Sequence, residues 1–154
     1  MSIYHVGEMY RDGKGVERSG QNAISWFKKA GNQGYIIAWY SIAKIYEEGC
    51  EDVEKDWKKA IQYYEKAEKR GYAAAPYRFG DMYMDGEMVP MDPKKAIECY
   101  KRSANMGYYP ARMKLYALYY KDPRYRNMSL AGKVLDSMRK ENRAELEKYA
   151  PQLL

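Results

Sequence analysis

Ala-Ile-Gln-Tyr-Tyr-Glu-Lys-Ala at residues 60–67 is preceded by Ala-Ile-Ser-Trp-Phe-Lys-Lys-Ala at 23–30 and followed by Ala-Ile-Glu-Cys-Tyr-Lys-Arg-Ser at 96–103. Each copy opens and closes on a small residue and carries an aromatic residue at its fifth place. Small residues mark close helix approach, and the rings fill the space beside them. Around these stretches other residues keep the same beat. Tyr10, Tyr46, Tyr83 and Tyr119 recur at intervals of 36, 37 and 36 residues; Gly13, Gly49 and Gly86 each follow a tyrosine, and Gly34, Gly71 and Gly107 close each unit. A fixed period of this length is the mark of a stacked repeat, whose single unit cannot bury its apolar face alone.

The unit reads as two helices, A and B. Ile36–Glu48 carries Ala38, Ile42, Ile45 and Tyr46 at helical spacing before Gly49, and Ala74–Asp85 repeats this with Tyr77, Phe79, Gly80 and Tyr83 before Gly86. Such spacing puts the apolar residues on one buried stripe, and the glycine suits a left-handed C-cap. Ser19, Asp56, Asp92 and Asn127 each stand four residues ahead of Ala23, Ala60, Ala96 and Ala131. These are helix N-capping types, and Pro93 suits the first turn. The pattern predicts A helices over 3–11, 36–48, 74–85 and 110–121. It predicts B helices over 20–32, 57–70, 93–106 and 128–149, the last a long cap. The expected fold is all-α, a stack of antiparallel helical hairpins in one domain, 1–154. Its units are 1–34, 35–71, 72–107 and a degenerate one with the cap, 108–154.

The residues Gly-x-x-Tyr-x-x-Gly-x-Gly-Val (7–16) and Ala-Ile-x-Trp-Phe-x-x-Ala-x-x-x-Gly (23–34) resemble the Sel-one-like repeat (SLR), a longer-period relative of the tetratricopeptide repeat. The resemblance covers residues 3 to 122. Ala43 and Tyr116 depart from it where Gly7 and Gly80 follow it, the loop Cys50–Lys55 is one residue longer, and Lys121-Asp122-Pro123 replaces the last loop's glycines. The resemblance implies a right-handed α-solenoid that scaffolds protein–protein contacts without chemistry of its own.

Nothing in the chain argues against that. His5 is the lone histidine and has no partner at motif spacing, so with Cys50 and Cys99 it makes no usual zinc set. Gly13-Lys14-Gly15 lacks the frame of a phosphate loop, and no carboxylate pair is marked as catalytic. No enzyme, metal or cofactor is expected. No apolar run approaches the ~20 residues of a membrane helix. The two cysteines are out of repeat register, which favours a reducing cytoplasm. The chain opens inside a helix A, so a longer array or a removed leader stays open.

Two surfaces are candidates for a partner. Tyr4, Tyr40 and Tyr77 precede the repeat tyrosines by six residues, which turns them about 120° around the helix. In tetratricopeptide-like stacks that face lines the concave groove. Glu8 and Arg11, Lys44 and Glu47, Asp81 and Met84 share it, and Met113 and Tyr120 continue it in the last unit. These residues read either as interface anchors or as ordinary half-buried packing. The second surface is basic: residues 1–107 hold 17 Lys/Arg against 16 Asp/Glu, whereas 108–154 hold 10 against 5. Lys121, Arg124 and Arg126 bracket Tyr125 there, and a solvated cap is preferred to nucleic-acid binding. The expected molecule is a monomer that binds a protein or peptide in its groove, either as an adaptor or as a dedicated inhibitor of the immunity or antitoxin kind. Neither nucleic acid nor membrane is expected as a partner.

Overall fold

The computed structural model describes residues 2–149. Eight helices follow in order: α1 (Ile3–Asp12), α2 (Gly20–Asn32), α3 (Ile37–Glu48), α4 (Trp57–Lys69), α5 (Ala74–Asp85), α6 (Pro93–Asn105), α7 (Tyr109–Lys121) and α8 (Met128–Tyr149). Every helix end lies within one residue of its expected position. Residue 1 and residues 150–154 of the expected terminal unit lie outside the described residues. Each helix packs against the one before and the one after it, giving a stack of hairpins with no β-strand among the described residues.

Local chemistry sets these boundaries. The side chains of Ser19, Asp56, Asp92 and Asn127 accept from the backbone amides of Asn22, Lys59, Lys95 and Leu130, as N-caps do. The amides of the same four residues donate back to the carbonyls of Tyr10, Tyr46, Tyr83 and Tyr119 at 2.9, 2.9, 3.0 and 2.8 Å, which closes each A–B loop. Gly13 and Gly86 are left-handed C-caps. Gly49 departs from that expectation: its φ is 67° but its ψ is 170°. The extra residue of this loop explains the difference, because Cys50 and Val53 exchange backbone hydrogen bonds of 2.8 and 3.2 Å and turn the chain at once.

That turn carries Asp52 onto the preceding unit. Its carboxylate accepts from Ser19 Oγ at 2.7 Å and from the amides of Gly20 and Gln21 at 2.8 and 3.2 Å. It also accepts from Cys50 Sγ at 3.1 Å. An anion over the first turn of α2 satisfies free amides and meets the positive end of the helix dipole. The Ser19 hydroxyl first, then the Cys50 thiol and the two amides, hold the Asp52 carboxyl well below the usual range.

The core corrects one expectation. Phe27, Tyr64 and Tyr100, the fifth residues of the three B stretches, are 0% exposed, whereas Tyr10, Tyr46 and Tyr83 are only half-buried and Tyr119 alone of its set is buried. The A-helix tyrosines sit at the mouth of each hairpin, where Lys59 and Lys95 lie 5.3 and 5.5 Å from the rings of Tyr46 and Tyr83. The B-helix rings fill the interior. They do so because the facing A helix is small there: a Cβ added to Gly7 would lie 2.6 Å from Phe27, and one added to Gly80 would lie 2.8 Å from Tyr100. Ala43, at the same repeat position, is itself buried.

Tyr100→Ala is therefore expected to cost about 3–5 kcal/mol, as for buried aromatic residues, and Tyr83→Ala clearly less; urea unfolding of the two variants checks the order. Asp52→Ala is expected to lose about 1 kcal/mol, the scale of a helix cap. Because the folded-state pKa of Asp52 is depressed, its contribution is present above the ordinary value of about 3.9. It is lost as the pH falls below that value towards the folded one. The stability difference between wild type and Asp52→Ala, measured from pH 7 to pH 3, is expected to shrink at the acid end.

Candidate functional site

The helix-A tyrosines make the same ring contacts in three successive units. Tyr4 lies 5.0 Å from Phe27 and 4.7 Å from Tyr35 between ring centres. Tyr40 lies 5.5 Å from Tyr64 and 4.9 Å from Tyr72. Tyr77 lies 5.6 Å from Tyr100 and 5.3 Å from Tyr108. Each trio joins an A helix, its B helix and the start of the next unit. All three A-helix tyrosines are half-buried, and burial pushes the Tyr40 hydroxyl up to about 12.

A polar seam runs along the same face. The interior hydroxyls of Tyr64 and Tyr100 need acceptors, since an unpaired buried polar group is costly. Tyr64 donates to Glu47, and Tyr100 donates to Asp81 Oδ1 at 2.6 Å. Burial first, then the neighbouring carboxylate, raises both phenols well above the ordinary range. Each carboxylate also meets a cation from the next A helix: Arg78 Nη2 at 2.9 Å from Glu47, and Lys114 Nζ at 3.9 Å from Asp81. Ser41, Arg78 and Lys114 occupy one repeat position on α3, α5 and α7, and Ser41 Oγ takes its own link to the preceding A helix, α1, through Tyr4 Oη at 2.9 Å. In the first unit the interior ring is phenylalanine and needs no acceptor. Arg11 lies 6.0 Å from the centre of Phe27 there and pairs with Asp12 at 2.9 Å and Glu8 at 3.8 Å.

Between α1 and α3 this face opens into a cleft of about 440 Å³. It brings together four of the expected residues, Tyr4, Arg11, Tyr40 and Lys44, and adds Arg18, which sequence reasoning missed. The Arg18 Nε donates to the Arg11 carbonyl at 3.0 Å, a contact across the A–B loop that no spacing rule marks. Lys44 is within 3.9 Å of Glu48. Glu8 lies beside His5, 3.4 Å from its Nδ1. The pair is an ordinary i,i+3 contact on an exposed helix face. Glu47 and Asp81 are turned to the seam. Tyr77 and Met84 are half-buried further along, and Met113 and Tyr120 are exposed, Tyr120 stacked 5.4 Å from Tyr116.

At the basic end Lys121, Arg124 and Arg126 are exposed and Tyr125 is half-buried. Arg124 lies 5.2 Å from the Tyr125 ring centre and grips Asp122 through contacts of 2.8 and 3.1 Å, which neutralises part of the expected patch. Among the described residues no group of His, Cys, Asp and Glu is placed to hold a metal ion, and no helix is long and apolar enough to cross a membrane. Cys50 and Cys99 are free thiols.

A family model described as the Sel1 repeat matches residues 1–35, 37–72 and 73–108. Among solved structures the chain is 28% identical to a Sel1 repeat protein from Oxalobacter formigenes, with a TM-score of 0.61 over 76% of this chain and 47% of that one. It is 25% identical to a protective antigen with an SLR fold from uropathogenic Escherichia coli, with a TM-score of 0.68 over 90% of this chain and 30% of that one. An immunity protein from Pseudomonas aeruginosa is 24% identical, with a TM-score of 0.58 over 84% of this chain and 49% of that one, a likeness of fold alone. The chain thus spans half or less of the length of these three structures. No curated protein matches it.

The seam makes a prediction of its own. Glu47→Ala strands the Tyr64 hydroxyl and unpairs Arg78, and is expected to cost about 1–3 kcal/mol. Glu8→Ala removes only exposed contacts and is expected to stay within about 0.5 kcal/mol of wild type. Chemical denaturation of the two variants measures the contrast.

Proposed function

The chain belongs to the Sel1 repeat family, and on that ground we propose that it is a non-catalytic protein–protein interaction scaffold. It holds a protein or peptide partner on the face formed by its A helices. The observation that carries this reading is the cleft between α1 and α3, where the rings of Tyr4 and Tyr40 stand beside Arg11 and Lys44 on rigid elements. Half-buried tyrosines offer apolar area and a polar tip at low entropic cost, and a preformed surface forfeits little freedom on binding. Tyr77, Met84, Met113 and Tyr120 extend the contact along later units, while Glu47 and Asp81 hold the face in shape through their links to the interior tyrosines. The whole of 1–154 works as one repeat domain in this reading, monomeric and without affinity for nucleic acid or membrane. The free state of Cys50 and Cys99 suits a reducing cytoplasm.

A dedicated inhibitor is the second reading. It is favoured by the immunity protein among the structures that share the fold, a likeness that supports the architecture and leaves the role to experiment. A single partner bound tightly in equal proportion fits the inhibitor, and several partners bound more weakly fit the adaptor.

Tyr77→Ala would remove two ring contacts within the stack, so positions outside the ring trios make cleaner probes. Lys44→Glu and Met113→Asp are expected to weaken a captured partner at least tenfold, about 1.4 kcal/mol, with the helical content and melting temperature unchanged. Calorimetric titration against the partner purified from the source cell checks this. Retained affinity in both, with affinity lost in an Arg124→Glu, Arg126→Glu variant, would move the contact to the basic end.

A further inference from the structure

We propose that the cleft between α6, α7 and α8 is a second docking site, which receives a bulky apolar side chain carried on an acidic polypeptide segment. The site arises where the last unit breaks the repeat. In the two middle units a lysine directly before the small B-helix alanine covers the repeat tyrosine, Lys59 on Tyr46 and Lys95 on Tyr83. In the last unit the same place, before Ala131, is taken by Leu130. Tyr119 has lost its cation there, is 5% exposed, and keeps a buried hydroxyl without a partner among the described residues.

Tyr119 lines an open cleft of about 400 Å³ together with Leu130 and Val134, and Lys101, Arg112 and Lys133 stand around it. Among the described residues no carboxylate lines the cleft. Arg112 is anchored by Glu141, and neither Lys101 nor Lys133 has a carboxylate partner among the described residues. The charge therefore selects an acidic occupant, and the apolar walls select a large hydrocarbon group. Lys101 on α6 and Lys133 on α8 flank the opening from different helices, so they match acidic groups spaced on either side of one apolar residue. A nucleic-acid strand answers the charge but not the walls, and a lone fatty carboxylate answers the walls with a single charge. This site is separate from the cleft between α1 and α3, and neither depends on the other.

The test is an NMR titration of the ¹⁵N-labelled protein with the blocked peptide acetyl-Glu-Asp-Phe-Glu-Asp-amide. The expected result is saturable amide shifts confined to residues 101–105, 112–119 and 130–137, weakened by raised salt and about tenfold weaker when Ser replaces the peptide's Phe. Leu130→Lys, which restores the repeat residue over Tyr119, is expected to abolish the shifts. Lys101→Glu with Lys133→Glu is expected to weaken binding at least about tenfold while leaving the urea midpoint of the free protein unchanged, a split that a purely structural role would not give. No saturable shift in wild type, shifts confined to α1 and α3, or unchanged affinity in the Lys101→Glu, Lys133→Glu variant would overturn the proposal. So would equal or tighter binding at the same residues by decanoate or by a thymidine oligonucleotide.

Discussion

The structure depends on one steric constraint: on α2 and α6 an aromatic ring is seated against a glycine of the facing A helix. Gly7 leaves room for Phe27 and Gly80 for Tyr100, where a single added methyl would overlap the ring. The close approach brings the hairpin's helices together, with Ala23, Ala60 and Ala96 fully buried. Well-packed interiors tolerate neither voids nor extra carbon, so this contact sets the spacing that successive units inherit. The last unit shows the same rule from the other side. Tyr116 stands at the glycine position, and no aromatic residue occupies the matching place on α8, where Leu135 is only half-buried.

A second layer follows from using tyrosine rather than phenylalanine inside. Tyr64 and Tyr100 bring hydroxyl groups into the interior, and Glu47 and Asp81 must stay where they can accept from them. Arg78 and Lys114 then answer those carboxylates from the next A helix. The interior of one unit is thereby tied to the charge pattern of the face where a partner would lie. In the first unit Phe27 makes no such demand, and Arg11, at the wall of the cleft, pairs with Asp12 and Glu8 of its own helix. Units that look alike in packing thus present different electrostatics.

Much of this architecture was legible in the chain. Caps four residues ahead of a small alanine and glycines after the first three A helices placed the hairpins, because those signals act through local backbone chemistry. The choice of interior ring was not legible from the aromatic pairs at 26–27 and 63–64. Neighbouring residues on a helix differ by about 100°, and nothing within the pair says which one points inward; only the small residue at the facing position of the A helix, Gly7 or Ala43, does. Glu47 and Asp81 fell among the groove candidates because they share the outward stripe of Tyr40 and Tyr77, yet their partners lie 17 and 19 residues away and obey no periodic rule. Asp52 was hidden for the same reason, since a loop lengthened by one residue reads as tolerance until its carboxylate is seen over α2.

The most direct test of the steric account is a double-mutant cycle between Gly7 and Phe27 followed by chemical denaturation. Gly7→Ala alone is expected to destabilise by about 1–3 kcal/mol, the usual cost of overpacking. In a Phe27→Leu background the obstructing ring is gone, so the same substitution should cost nothing and should gain up to about 1 kcal/mol from the better helix propensity of alanine. The account therefore predicts strong coupling between the two sites. An equal loss from Gly7→Ala in both backgrounds would show that the ring does not set the approach of the helices.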